Sequence, residues 1–263
     1  MHARCVPEED ERSLMSSLGN DRADGVSSAG TGALTGRSVE TELMDNPGVS
    51  REELETSFRF IRAVNRRLGG AKAILRALDG ITRTWPSQRE LRLLDVGTGC
   101  ADIPLAIAAW ADRRHRPFRI VAIDNHERTV ELAQEAVARE PRIVVAPMDA
   151  RDIMRHFEAG AFDVAHAGMF LHHLSDIEIL TVLRCMQRVA TTVVWNDLVR
   201  DAISRVGVRL LTIGAPRIVR HDAIVSVRKG FTRGEAIDLA RRVGLEQIVY
   251  RRFLFGRFTI VGS

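Results

Sequence analysis

From Ser50 onward the chain switches between two hydrophobic patterns. Leu54, Phe58, Ile61, Val64 and Leu68 recur at helical spacing, and Gly69-Gly70 closes the run. Ser50 stands three residues before Glu53, the spacing of a capping box. A second helix is predicted over 71–84, ahead of Pro86. Short apolar runs then take over: LRLLDV (91–96), FRIVAID (118–124), RIVVAPMD (142–149), FDVAHAGM (162–169) and TTVVWND (191–197). Helical patterns fall between them, at 102–113 with Pro104 in the first turn, at 126–139, and from the capping box SDIE at 175–178. A last helix, 231–244, opens on Thr232-x-x-Glu235 and stops at Gly244. Runs 246–253 and 258–263 around Gly256 predict a closing hairpin.

Strands alternating with helices imply an α/β protein whose parallel sheet is covered on both faces. Seven strands are expected, the last two forming an antiparallel hairpin. Residues 1–43 are Gly/Ser-rich without an apolar period and are expected to be a disordered tail. Residues 44–89 form an N-terminal helical cover, 90–263 the main domain, and 198–230 an inserted helix and loop within it.

Composition narrows the class. The 263 residues are 45% hydrophobic, enough for a sizeable core. No apolar run approaches the ~18 residues of a membrane span. Acidic residues occupy the place where a signal peptide needs its apolar region, so a cytoplasmic protein is expected. Cys5, Cys100 and Cys185 are far apart and fit neither a disulfide framework nor a CxxC zinc site. Residues 1–50 carry a net −5, which leaves +9 on the rest of a chain of net +4. A basic body is compatible with an anionic or nucleic-acid partner, but an arginine-rich solvated surface is the simpler reading.

The first strand ends in LLDVGTGCAD (93–102). Gly97 and Gly99 permit a tight turn and close backbone approach to a ligand. The second strand ends at Asp124, whose carboxylate suits the two hydroxyls of a ribose. A dinucleotide fingerprint needs a small third residue, and Asp102 stands there instead. The third strand ends in Asp149-Ala150. This ordered set, Asp95-x-Gly97-x-Gly99, then Asp124, then Asp149-Ala150, resembles the class I S-adenosylmethionine (SAM) methyltransferases over residues 90–263. The resemblance implies a Rossmann-like fold and SAM as cofactor. It implies that Gly97, Thr98 and Gly99 meet the methionine and ribose, with Asp95 orienting the loop. Asp124 would take the ribose hydroxyls, Asn125 would flank the adenine, and Asp149 and Ala150 would meet its amino edge.

The acceptor belongs after the fourth and fifth strands. The segment HAGMFLHHLSD lacks the [N/D]-P-P-[Y/F] turn that holds a flipped base, and the chain has one Tyr to stack bases. A nucleic-acid substrate is therefore not expected. FLHHLSD resembles the small-molecule branch of the family, and the segment 44–70, NDL (196–198) and RHDAIVSVRKGFT (220–232) resemble bacterial methyltransferases of phenolic, polyketide or quinone-like secondary metabolism. That resemblance implies O-methylation of a phenolic or enolic hydroxyl, with C-methylation as the alternative. Further alternatives are an RNA or protein methyltransferase and an inactive SAM-binding module. A phenol of pKa ~10 needs a base, and neutral histidine suits the task. The candidates are His172, His173 and His221, with Asn196, Asp197 and Asp222 as orienting or substrate-binding partners and Met169 on the pocket wall. His172 and His173 are adjacent, so one of the two is expected to face the pocket. Neither is expected to hold a metal, because no HExxH or paired cysteine accompanies them. The oligomeric state is not set by the sequence.

Overall fold

The computed structural model describes residues 36–253 and 256–263. Two helices come first, α1 (Arg51–Arg67) and α2 (Gly70–Ile81). Ser50 caps α1 through a complete capping box with Glu53, so two backbone donors are satisfied reciprocally. The alternating part follows: β1 (Leu91–Val96), α3 (Asp102–Arg113), β2 (Phe118–Asp124), α4 (Glu127–Val137) and β3 (Ile143–Pro147). A short helix α5 (Ile153–His156), which the hydrophobic pattern is too brief to reveal, precedes β4 (Phe162–Gly168). Then come α6 (Asp176–Val189), β5 (Ala190–Leu198), α7 (Ala202–Leu211), α8 (Arg217–Lys229), α9 (Arg233–Arg242), β6 (Val249–Phe253) and β7 (Arg257–Gly262). Ser175 and Thr232 also form full capping boxes, at α6 and α9.

The seven strands lie in the order β3-β2-β1-β4-β5-β7-β6. The first five are parallel, and β7 is antiparallel to both of its neighbours, β5 and β6. This is a Rossmann-like sheet with the expected antiparallel end. Its central strand β4 is buried at six of seven positions, as a strand covered on both faces must be. One apolar layer packs α6 and α9 on the sheet around Trp195, Phe231 and Phe258. The opposite layer packs α2, α3 and α4 around Trp110 and Phe118. Strand order reverses between β1 and β4, so the carboxyl ends of these strands frame a crevice.

The expected tail boundary at residue 43 moves. Residues 1–35 lie outside the described residues. Arg37, however, donates to the carbonyls of His172, Leu174 and Lys229, pairs with Asp176, and stacks on Phe231. Glu42 is buried, and residues Leu43–Asp45 form a 3-10 turn held by the Asp222 carboxylate. A side-chain scaffold made by the body of the protein orders this segment, which has no periodicity of its own. No helix among the described residues is long and apolar enough to cross a membrane.

Candidate active site

A cavity of about 950 Å³ opens at the carboxyl ends of β1, β2 and β4. That is near the upper end of ligand pockets, roughly 300–1,000 Å³. Asp95, Gly97, Thr98, Gly99, Asp124 and Asn125 line one end of it. Gly97 and Gly99 have φ of +67° and +56°, in the left-handed region that side chains rarely adopt. A Cβ on Gly97 would also lie 2.3 Å from the Phe170 ring, so this glycine lets the FLHHLSD segment seat against the loop. Buried Asp95 holds the loop from beneath. It accepts from Thr98 Oγ1 at 2.7 Å, and His166 Nδ1 lies 2.6 Å from its other oxygen.

Asp124 accepts one hydrogen bond per oxygen, from Gly99 N–H and His126 N–H, each at 3.0 Å. Burial lifts its pKa above the ordinary carboxylate value, against the pull of these donors. Each oxygen keeps a lone pair for a further donor. These residues fit the ribose and methionine portions of SAM. Asp149 and Ala150 do not line the cavity. Asp149 caps the 3-10 turn Ala150–Asp152 by accepting from Arg151 N–H, and pairs with the Arg151 guanidinium at 2.5 Å. That partnership turns it away from the position expected of it.

The other end of the cavity holds the histidines. Residues Leu171–His173 form a single 3-10 turn entered through Met169, whose φ is +57°. On this turn both His172 and His173 line the cavity, their ring centroids 4.3 Å apart. The expectation that one would face away assumed an extended segment; the tighter turn puts both rings on one side.

His172 is buried, and its Nδ1 lies 2.6 Å from Asp197 Oδ1. Asp197 is fully buried and also accepts from Trp195 Nε1 and the backbone N–H of Leu198 and His172. Arg200, three residues on, engages Glu235 and the Gly230 carbonyl rather than Asp197. Asp197 sits behind His172 rather than on the cavity wall. His172 Nε2 faces Glu42 Oε1 at 3.5 Å, an ion-pair distance without a formed hydrogen bond. Burial alone would lower the pKa of the imidazole. The charges of Asp197 and Glu42 outweigh that and lift it to about 9. Burial would likewise raise Glu42, but His173, His172 and Lys229 hold it down at about 2. Glu42 went unnoticed in the sequence because it sits in a stretch without a pattern.

His173 pairs with Asp45 at 2.8 Å and lies 3.9 Å from Glu42. Glu42, His172 and His173 therefore gather three ligand-type atoms within 4.8 Å. The buried Lys229 ammonium, 3.8 Å from Glu42 Oε1, already supplies a cation there, and Asp45 occupies His173 Nδ1. The arrangement is an ion-pair cluster around a raised histidine. Arg257, on β7, adds a buried guanidinium to the cavity wall, lowered by burial to about 10.

Three further expectations change. His221 does not line the cavity; it bridges Asp222, at 2.9 Å, and Glu40. Asp222 does line it, yet its carboxylate is spent on the Leu43 and Met44 N–H groups. Asn196 is buried off the cavity and donates to the Gly70 carbonyl, tying α2 to the sheet. Met169 lines the cavity as expected. Cys100 is also on the wall, but burial pushes its thiol up to about 12, too high for a nucleophile.

Residues 93–192 match the family model described as "Methyltransferase domain". No protein of curated function matches the sequence significantly. Among solved structures, a SAM-dependent methyltransferase from Aquifex aeolicus superposes with a TM-score of 0.57 at 14% identity, covering 81% of this chain and 98% of that one. The CurJ carbon methyltransferase gives 0.57 at 15% identity, over 73% of this chain and 53% of that one. A Nostoc punctiforme PCC 73102 protein designated an O-methyltransferase gives 0.53 at 17% identity, over 74% and 56%. This chain thus spans about half the length of the latter two.

Proposed function

We propose that this chain methylates a small molecule at a phenolic or enolic hydroxyl, with SAM as donor and His172 as proton acceptor; the match of residues 93–192 to a methyltransferase-domain model and the fold shared with a SAM-dependent methyltransferase support it. One observation carries the reading. His172 lines the cavity, its buried Nε2 faces Glu42 Oε1 at 3.5 Å, and Asp197 fixes Nδ1 from behind. Once the imidazolium has lost its proton, Asp197 on Nδ1 holds the tautomer whose Nε2 accepts one.

Magnitudes decide why the raised pKa matters. Moving a proton from a phenol of pKa ~10 to an ordinary histidine of ~6.5 costs about 5 kcal/mol. Moving it to a histidine of pKa about 9 costs only about 1.4 kcal/mol. Asp197 and Glu42 thus stabilise the imidazolium that proton transfer creates. SAM, when bound, supplies the methyl group as a sulfonium. Gly97, Thr98 and Gly99 with Asp124 would hold it at one end of the cavity, leaving the His172 end for the acceptor. Ile61 and Val64 of α1 line the cavity, and Phe58 packs beside Gly99, so α1 helps to exclude water. The resemblance to secondary-metabolism enzymes and the O- and carbon-methyltransferase neighbours support a polyketide- or quinone-like acceptor. C-methylation is the same deprotonation with the methyl received on carbon. The widely spaced cysteines suit a reducing cytoplasm.

The test is incubation of the purified enzyme with SAM and a panel of polyphenols and enolic β-diketones, read by mass spectrometry and NMR. A product gaining one O-methyl group is expected. Methyl transfer at carbon alone would replace the oxygen assignment. Transfer to none of them, with SAM shown to bind, would overturn the reading.

A further inference from the structure

The helix α7 exposes an apolar stripe. Ile203, Val206, Leu210 and Leu211 are 76%, 55%, 63% and 46% exposed, and Ile213 just after the helix is 75% exposed. At roughly 100° per residue, Ile203, Val206 and Leu210 share one face, with Leu211 at its edge. Soluble proteins rarely leave so many large aliphatic side chains together in water. Among the described residues nothing covers them.

The charge around the stripe is mostly of one sign; Asp201, which caps the helix, is paired with Arg252. From residue 202 to 221 there are four arginines, Arg205, Arg209, Arg217 and Arg220, and no acid. All four are exposed. Arg205 and Arg209 lie on the helix beside Val206, and their long stems can reach past the stripe. Position in the fold completes the picture. Ile203, Leu210 and Leu211 of the stripe, with Gly207, also line the cavity while staying largely exposed, so most of the stripe lies at the cavity's open mouth.

From these observations we propose that α7 lies on an anionic lipid surface, and that the acceptor enters the cavity from that surface. Protruding aliphatic side chains flanked by arginines match an interfacial helix, whose apolar face sinks into the headgroup–acyl boundary. The arginines meet the anionic headgroups. A protein partner is a poorer match, because the stripe has no groove and no aromatic anchor of the kind that dominates protein interfaces. Entry at the stripe makes the acceptor a lipophilic one. Only this last point rests on the methyl-transfer reading; vesicle binding is measured without SAM or acceptor and stands or falls alone.

Cosedimentation of the full-length protein with vesicles tests the proposal. Vesicles of equal parts phosphatidylglycerol and phosphatidylcholine are expected to carry the protein down, and pure phosphatidylcholine vesicles much less. The double variant Val206→Glu/Ile213→Glu touches no cavity residue; it is expected to bind at least about tenfold more weakly. Its melting-temperature rise with SAM should equal the wild type's. Arg205→Gln/Arg209→Gln is expected to lose roughly thirtyfold on anionic vesicles, the effect shrinking in high salt. Wild-type protein staying in the supernatant with both vesicle types would overturn the proposal. So would unchanged binding by Val206→Glu/Ile213→Glu. A dimer that this variant dissolves would assign the stripe to a second copy, and binding to polyglutamate but not to vesicles would assign it to an acidic protein; either defeats the lipid assignment.

Discussion

The two ends of the cavity are built differently. The cofactor end is local: Asp95, Gly97, Thr98 and Gly99 belong to one turn, and Asp124 closes on that turn through a single hydrogen bond to Gly99 N–H. The acceptor end is assembled from afar. Glu42 meets His172 across 130 residues of chain, and Asp197 and Lys229 come from two further elements. At the local end Asp124 is met by backbone N–H groups, and Asp95 by the Thr98 hydroxyl and the His166 ring. The distant end is an electrostatic device, in which two carboxylates raise one imidazole. A turn can be moved between proteins intact. A charge cluster works only if every contributing element is in register.

The comparison breaks if the two ends do not fail separately. The largest effect is expected from His172→Ala, with turnover falling by roughly 10²–10⁴-fold, the usual contribution of a positioned base. Its SAM affinity, by calorimetry, should stay within about twofold. Asp124→Ala should do the reverse. Losing a buried charged acceptor costs about 1–3 kcal/mol, so SAM should bind roughly 5–150-fold more weakly while turnover at saturating SAM is largely kept. If His172→Ala also abolishes SAM binding, the ends are one unit.

The pH profile comes next. With His172 at about 9, the free enzyme is protonated there at neutral pH. As a base it must first lose that proton, so kcat/KM should rise about tenfold per pH unit from pH 7 and level near 9. A flat profile over that range would remove His172 from the proton transfer. Stability runs the other way. The folded pKa is above the unfolded ~6.5, so the His172 ion pairs contribute fully below about pH 6.5. Their contribution, of order 3 kcal/mol, drains away as pH rises through 9. Urea midpoints should therefore fall between pH 6.5 and 9 in the wild type and much less in His172→Ala. Glu42→Gln removes one of the two carboxylates, so the rising limb of the profile should shift to lower pH. If the limb stays put, Glu42 contributes structure and no charge.

What the sequence disclosed follows the same division. The strands ending at Val96 and Asp124 and the three capping boxes were legible because each is fixed by neighbours in the chain. Gly97 and Gly99 could be read because a left-handed turn demands their residue type. Asp149 was misplaced, since the arginine two residues on, which captures it, is invisible to a motif. Glu42 escaped notice altogether. Its stretch has no period, and its partners His172 and Lys229 lie 130 and 187 residues away. His221 looked equal to His172 by composition, but the 3-10 turn at Leu171–His173 is what aims a ring into the cavity. Local rules reveal local devices; a charge cluster spanning four segments leaves no periodic trace.

The smallest effect tests whether the acceptor end also depends on a local device. Ile61 and Val64 line the cavity from α1, and α1 starts at the Ser50–Glu53 capping box. Ser50→Ala removes the side-chain acceptor for Glu53 N–H and should cost about 1 kcal/mol. In a chain of this size that is a fall of about 2–4 °C in Tm. The cap is exposed and lies a turn or more from the wall residues, so fraying should loosen the wall without removing a contact to SAM. KM for the acceptor should then rise modestly while SAM affinity holds. Should SAM affinity fall with Tm, α1 serves the cofactor end as well, and the division between a local and a distant end would have to be redrawn along the helix.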